Sequence, residues 1–463
     1  MYLQFNGATK NVTGSCHFFQ CGEKQFLIDC GLYQGGRELE EENRKDFGFD
    51  PAAIDFLLLT HSHLDHCGRI PLLVKKGFKG KIVTTAASRE LAKLVMLDSA
   101  RIQEEEARYK NYKNNKRKKI KEPIVPLYDM VDALASLDYF MDIPSFETPV
   151  RLCPEVQVTF YDSGHILGSA SILVEAEHSG HTKRIVFSGD IGYDGRAILP
   201  DPAIPPDTDI VVMETTYGDR LHKQLEPSIE ELYAAINKTI ARGGNVLIPS
   251  FALERSQEIL YYLREGIEHK KLPENLPVYL DSPMAISATQ IFRRHPECFD
   301  EETWAVLNSG KDPFELPNLH FSRDTADSIA LKQARGTVII AGSGMCTAGR
   351  IRHHLRHNLW RKEAAVVFVG YAGVGTTARR IIDGENPVRI FREEIDVNAD
   401  IYTIGGFSAH ADQQELLRWH SRTGKPEKTF LVHGEEKSME VFSTLLTETE
   451  VILPEPLDRF DLL

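Results

Sequence analysis

Residues 61–66 (HSHLDH) place four metal-type ligands, His61, His63, Asp65 and His66, within six positions. Imidazole and carboxylate groups with no thiolate suit Zn, Mn or Fe better than Ca or a cysteine-bound structural zinc. The cluster follows 56–60 (FLLLT), an apolar run that reads as a buried strand. Six residues span less than two helical turns, so a helix would scatter these side chains around its circumference. A tight loop at a strand end can instead turn His61 and His63 toward one ion, and Asp65 and His66 toward a neighbouring one. The plain alternative is a solvated histidine-rich loop.

The same grammar, an apolar strand followed by a polar residue flanked by Gly or Ser, recurs along the chain. Asp29 lies in 26–31 (FLIDCG), His165 in 162–169 (DSGHILGS), Asp190 in 186–192 (VFSGDIG) and His433 in 429–435 (TFLVHGE). Any one alone is an ordinary loop histidine or turn aspartate. Together, and in this order, they resemble the motifs of the metallo-β-lactamase superfamily. The resemblance implies an α/β fold, an αββα sandwich with its metal site along one edge. It implies that Asp29 organises the ligand loop and that His61, His63 and His165 hold one metal. Asp65, His66 and His433 would hold the other, with Asp190 bridging the two.

A whole domain's length of chain lies between Asp190 and His433, and it carries its own pattern. Short apolar strands are expected at 210–214, 245–250, 278–281, 338–342 and 365–370. Helical patterns such as 254–264, with Ile259, Leu260 and Leu263 on one side, alternate with them. That alternation predicts a parallel, Rossmann-like α/β sheet. The expected organisation is therefore 1–209 and 398–463 as two parts of a metal-binding domain, with 210–397 inserted between them.

The insertion resembles the β-CASP domain, which marks the nucleic-acid-processing branch of the superfamily. Glu214 in 213–218 (METTYG) matches its first motif, and His410 in 405–412 (GGFSAHAD) its second. The third coincides with His433, where a histidine implies RNA and an apolar residue implies DNA repair. Taken from Asn6 to Glu435, the chain resembles bacterial and archaeal relatives of the endonuclease subunit of the cleavage and polyadenylation specificity factor. Archaeal members often carry an N-terminal KH extension that this sequence does not show. RNA selection is then expected from the core domains or a partner.

Glycine-rich turns in the insertion suit an anion, because glycine lets backbone N–H groups approach closely and a helix N-terminus adds a favourable dipole. One is 341–350 (AGSGMCTAGR), with Ser343 and Gly344; another is 371–377 (YAGVGTT), with Gly375, Thr376 and the following Arg379. A third turn, 250–256 (SFALERS), carries Ser250 and Arg255, and Ser408 precedes His410. These eight residues are the candidate substrate contacts, although most such turns merely close a strand-to-helix connection.

Composition narrows the class. Hydrophobic content of 42% and charged content of 26% are those of a globular protein, and 463 residues exceed one ordinary core. No apolar run is long enough to span a membrane. The opening residues alternate like a strand with no basic or apolar leader, and the seven cysteines include no CxxC pair. A reduced, cytoplasmic protein is expected. The net charge of −13 does not exclude nucleic acid, since partners respond to local fields. Residues 108–121 (RYKNYKNNKRKKIK) hold eight cations, two tyrosines and no acid. That pattern suits a phosphate backbone with stacked bases, or equally a solvated insertion.

The expected activity is that of a ribonuclease, endonuclease or 5′-exonuclease, using a hydroxide activated by two Zn ions, with Mn as the substitute. Asp65, Glu214 and His410 are the catalytic candidates. His410 is expected either to protonate the leaving oxygen, oriented by Glu214, or to bind phosphate as a cation. The resemblance implies products with 5′-phosphate and 3′-hydroxyl ends. Single-stranded RNA is the expected partner, and a homodimer is possible on these terms. A DNA nuclease, a small-molecule metallo-hydrolase and an inactive scaffold are the competing classes.

Overall fold

The computed structural model of the chain describes every residue except 117–121, 371 and 374. The chain divides into two compact units: Met1–Asp194, Asp201–Leu221 and His410–Leu463 form the first, Gly195–Pro200 and His222–Ala409 the second.

The first unit is built on two seven-stranded sheets. One runs in the order Arg459–Asp461, Tyr2–Gly7, Cys16–Cys21, Lys24–Ile28, Phe56–Leu58, Lys81–Thr84, Phe140–Asp142. The other runs Glu450–Ile452, Lys428–Val432, Ile210–Glu214, His181–Phe187, Ala170–His178, Val156–Asp162, Val150–Cys153. Side chains alternate between the faces of a strand. Phe5, Phe26, Ile28 and Leu58 of the first sheet thus meet Phe160, Ile172, Phe187, Val212 and Phe430 of the second in one core. Intervening Val186, Val211, Met213 and Leu431 face the other way, against Leu416 and Trp419 of helix Gln413–Arg422 and Met439 and Phe442 of helix Glu436–Ser443. Parallel pairs within the first sheet require helical crossovers. Helices Ile70–Lys75 and Ala86–Lys116 provide them, completing the αββα sandwich.

The second unit holds a six-stranded sheet in the order Leu319–Phe321, Val278–Leu280, Val338–Ala341, Val246–Pro249, Ala365–Val369, Asp400–Ile404. Every pairing in it is parallel. Its central strands are buried along their whole length, as a sheet covered on both faces requires.

Two strands fall outside their expected sheets. Ile210–Glu214, expected to open the insertion, lies between His181–Phe187 and Lys428–Val432 in the sandwich. Asp400–Ile404, expected after the insertion's end at 397, closes the edge of the parallel sheet beside Ala365–Val369. Ile210–Glu214 is buried between two parallel partners and would read as apolar in either sheet, while Asp400–Ile404 is a half-exposed edge strand of mixed residues, so neither sequence says which sheet it joins.

The basic run also takes a definite form over 108–116, as the last turns of helix Ala86–Lys116 rather than a loop. Arg108 and Lys110 pair with Glu104 and Glu106 one turn back, at 3.7 and 3.0 Å, while Tyr109 and Tyr112 are exposed. Residues 117–121 of the run lie outside the described residues. Among the described residues, no helix is long and apolar enough to cross a membrane.

Candidate metal centre

Strand direction explains why residues scattered over the sequence converge. Lys24–Ile28 and Phe56–Leu58 run parallel, and so do His181–Phe187, Ile210–Glu214 and Lys428–Val432. Val156–Asp162 joins that direction through two successive antiparallel pairings. Asp29, the 61–66 cluster, His165, Asp190, Glu214 and His433 all lie at or just beyond the carboxyl ends of these strands.

The ligand loop is not a simple loop. His61 and Ser62 continue from the strand, and His63 is the extended N-cap of a one-turn helix, Leu64–Cys67. The change of direction at His63 separates His61 and His63 from Asp65 and His66. Gly31 packs against that turn so closely that a Cβ there would lie 1.5 Å from the Asp65 carbonyl oxygen.

Two sets of donor atoms result. His63 Nδ1 lies 3.2 Å from His61 Nε2 and 3.1 Å from His165 Nε2. Asp190 Oδ2 lies 3.4 and 3.5 Å from those same Nε2 atoms. In the second set His66 Nε2 lies 3.3 Å from His433 Nε2, and His433 Nε2 lies 3.4 Å from Asp65 Oδ2. Asp190 Oδ1 borders it, 3.3 Å from His66 Nε2 and 3.4 Å from His433 Nδ1. One carboxylate therefore turns one oxygen to each set. Its Oδ1 is buried without a hydrogen-bond partner, which a positive ion would satisfy.

Electrostatics of the first donor set agree with cation binding, whereas in the second Asp190 and Asp29 outweigh burial and hold His66 well above its ordinary value, so a metal there must displace a proton. Burial, reinforced by neighbouring imidazoles, holds His61 down to about 3 and His63 down to about 4, and pushes His165 well below the usual histidine range. These rings are neutral at pH 7, with lone pairs to offer. Burial works against charge on Asp65 and Asp190, yet the surrounding histidines keep both carboxyls below their ordinary values.

Outer partners fix the rings. Asp29 Oδ2 lies 2.7 Å from His66 Nδ1, so that nitrogen donates and Nε2 is left for a metal. The Thr60 hydroxyl sits 2.9 Å from the same Oδ2 and 3.1 Å from His61 Nδ1, which orients His61 in the same sense. Thr60 was not singled out from sequence; its one signal is a polar end to an apolar strand. Asp29 and His433 have positive φ, 61° and 46°, in a region that costs most residues about 1–2 kcal/mol. That is strain of the kind held at functional sites. Removing the Asp29 carboxylate, as Asp29→Ala, is expected to weaken metal binding roughly 10–100-fold while the fold persists. Titration of the apo protein with Zn measures it, and an unchanged affinity would assign Asp29 to backbone support alone.

Glu214 and His410 meet beside this centre. His410 Nδ1 lies 3.0 Å from Glu214 Oε2 and 4.0 Å from Asp190 Oδ2. Glu214 is fully buried and its Oε1 accepts the Ile191 N–H, tying it to the loop that carries Asp190. Burial opposes charge on His410, but the Glu214 carboxylate outweighs it and raises the imidazolium to about 9.

Residues 10–249 match the metallo-β-lactamase superfamily, 256–381 the Beta-Casp domain, and 394–454 the Zn-dependent metallo-hydrolase RNA specificity domain. The chain belongs to the metallo-β-lactamase superfamily, in its β-CASP branch. It is 39% identical to Ribonuclease TTHA0252 of Thermus thermophilus, over 95% of this chain and 94% of that protein. It is 31% identical to Transcription termination factor FttA of Methanosarcina mazei, over 96% of this chain and 69% of that protein. A crystal structure of a protein of unknown function from Enterococcus faecalis shares the fold, with a TM-score of 0.54 at 13% identity over 99% of both chains. The His/Asp cluster of this β-CASP protein is a divalent-metal site in chemistry and in family.

In the second unit Ser250, Ser343, Gly344, Gly375, Thr376 and Ser408 lie on loops beyond the carboxyl ends of the parallel strands, where such sheets bind ligands, while Arg255 and Arg379 lie in the first turns of helices Arg255–Glu268 and Thr377–Ile382. Gly344 lies under the exposed ring of Phe251, and the Gly373 N–H contacts Met345 Sδ at 3.3 Å, so the 250, 343 and 373 turns gather together. Ser343, Gly344, Gly375 and Thr376 are at least partly exposed there. Thr376 caps helix Thr377–Ile382, and Arg379 pairs with Asp383. Ser250 and Ser408 are buried. Arg255 is likewise buried and is paired with Glu258, its guanidinium 5.9 Å from the Phe407 ring centre. An unforeseen hub, Asp281, accepts from Ser328, Arg350 and His354 at 2.6–2.8 Å and braces the Gly342 turn from below.

Proposed function

We propose that this chain is a metal-dependent ribonuclease that hydrolyses phosphodiester bonds of single-stranded RNA, leaving 5′-phosphate and 3′-hydroxyl ends. The observation that carries the reading is Asp190, whose two oxygens each face a separate set of imidazoles beside the Glu214–His410 pair. His61, His63 and His165 would hold one Zn and Asp65, His66 and His433 the other, with Asp190 available to both and Mn an acceptable substitute. When bound, such ions supply a nucleophile from water at neutral pH and offset the charge of the phosphodiester. RNA as substrate is supported by the likeness to a named ribonuclease and to the RNA specificity domain.

The chain's own residues then handle the departing oxygen. Glu214 receives the His410 Nδ1–H, which leaves Nε2 to donate its proton to the 3′ oxygen as the P–O bond breaks. The Ser343, Gly344, Gly375 and Thr376 turns hold phosphates through backbone N–H groups. Residues 1–209 and 398–463, adjusted for the two strands described above, act as the metal-binding domain, and the insertion grips the strand.

Chelation is expected to abolish cleavage of a labelled RNA, and Zn or Mn to restore it. The proton donor is present below the His410 value and lost as pH rises through it. The rate should therefore rise as the nucleophile ionises near pH 7 and fall beyond about pH 9. Persistent cleavage after verified metal removal would sink the reading. Matched single-stranded DNA tests the DNA-nuclease alternative, and circular RNA separates endonuclease from 5′-exonuclease action.

A further inference from the structure

No Asp or Glu occurs between residues 343 and 362, although the chain carries a net charge of −13. The same stretch holds Arg350, Arg352, Arg356, Arg361 and Lys362. Helix Ile351–Asn358 begins beyond the carboxyl end of strand Val338–Ala341 and runs back along the sheet. Its cations thus form a stripe leading away from the Ser343 turn. Two arginines are committed internally, Arg350 to Asp281 at 2.8 Å and Arg356 to Glu393 at 2.7 Å. Among the described residues, Lys332, Arg335, Arg352 and Arg361 have no ion-pair partner, and Arg335 bonds only to the Lys332 and Ala334 carbonyls.

These groups crowd one another. Burial and then the neighbouring cations, Lys332, Arg352 and Arg356 among them, depress His353; His357 is depressed likewise. Burial and Arg335 lower Arg361, with Glu363 the one acid that opposes this. His357 Nε2 and Arg361 Nε are buried without a hydrogen-bond partner. Two aromatic rings interleave with the charges. Trp360 is 52% exposed with the Arg361 guanidinium 5.2 Å from its centre, and Phe391 lies 4.2 Å beneath that of Arg352. Uncompensated like charges repel, and a polyanion relieves that repulsion. Cations set beside the exposed Trp360 ring suit a flexible strand that presents both phosphates and unstacked bases.

We propose that Lys332, Arg335, Arg352, Arg361 and Trp360 form a second binding track for the backbone of an unpaired RNA strand, holding substrate beyond the nucleotides being cleaved. The inference rests on the ribonuclease reading, and it places affinity for long RNA apart from the chemistry.

The test uses the full-length, metal-loaded protein with a short oligoribonucleotide and a several-fold longer unstructured one. Joint substitution of Lys332→Ala, Arg335→Ala, Arg352→Ala and Arg361→Ala is expected to weaken binding of the long RNA about tenfold or more. The log–log salt slope should shrink by roughly 0.7 per lost contact. Turnover of the short RNA should stay at the wild-type value. Arg352→Gln and Arg361→Gln, made singly, should each remove part of the slope, which guards against misfolding of the combined variant. Trp360→Phe should abolish a fluorescence change that accompanies binding of the long RNA alone. If the variants bind both lengths with wild-type affinity and slope while the wild type cleaves RNA, the track is wrong and the ribonuclease reading stands. If the wild type cleaves neither RNA, that reading fails, and the track is decided by whether long-RNA binding depends on these residues. Equal losses for both lengths would also overturn it, because the stripe would then belong to the cleavage site.

Discussion

His63→Ala is expected to lose metal and activity together. His63 Nδ1 stands between His61 Nε2 and His165 Nε2, so its removal opens one side of the first donor set. The remaining His61 and His165 are neutral and Asp190 must also serve the second set, which leaves too little to retain an ion against dialysis. Outer partners of metal ligands alone are worth roughly 10–100-fold, so loss of a ligand should cost cleavage more than about 100-fold. Metal analysis should fall from about two ions per chain toward one, in line with separate donor sets. Full metal content with full activity would remove His63 from the site. Full metal content with lost activity would instead make it a substrate contact.

His410→Ala should part these two properties. Both donor sets are intact without His410, so metal content and RNA binding should stay at wild-type levels. Cleavage should fall by roughly 10²–10⁴-fold, the usual worth of general acid–base catalysis. The cause is specific: the nucleophile still forms, but the 3′ oxygen must leave unprotonated. A substrate with a bridging 3′ sulfur needs little protonation on departure, and it should rescue His410→Ala while leaving His63→Ala inactive. Glu214→Gln should give a milder loss and a lowered alkaline limb, because the carboxylate that sustains the His410 charge is gone. Loss of metal from His410→Ala, or no selective rescue, would assign His410 to ligation or to phosphate binding.

The donor types were legible because metal chemistry restricts them to a few side chains, and because strand-ending motifs repeat. Three imidazoles and two acids flanked by glycine and serine at apolar strand ends announce themselves without coordinates. In the structure His61, His63, His165 and Asp190 gather in one donor set and Asp65, His66 and His433 in another. Thr60 was less visible. Its hydroxyl matters only because Asp29 and His61 are brought to it from separate strands, and a threonine at a strand end has many ordinary uses. The surroundings of Arg255 were hidden for the complementary reason, since an arginine after a loop looks free until Glu258 and Phe407 are seen against it.

By itself the sequence determined residue chemistry and element type: a thiolate-free metal cluster, two kinds of α/β patterning, and an acidic chain with basic segments. Periodicity and ligand identity are local properties, so they survive without a fold. Only the tertiary structure decided which sheet receives Ile210–Glu214 and Asp400–Ile404, since both depend on partners distant in sequence. It also decided that Asp190 directs one oxygen to each imidazole set, that Glu214 lies fully buried against His410, and that Arg350 and Arg356 are paired with acids while Arg352 and Arg361, among the described residues, are not. Those are matters of direction and distance to within an ångström. They arise when parallel strands bring their carboxyl ends to one edge, which no spacing along the chain can express.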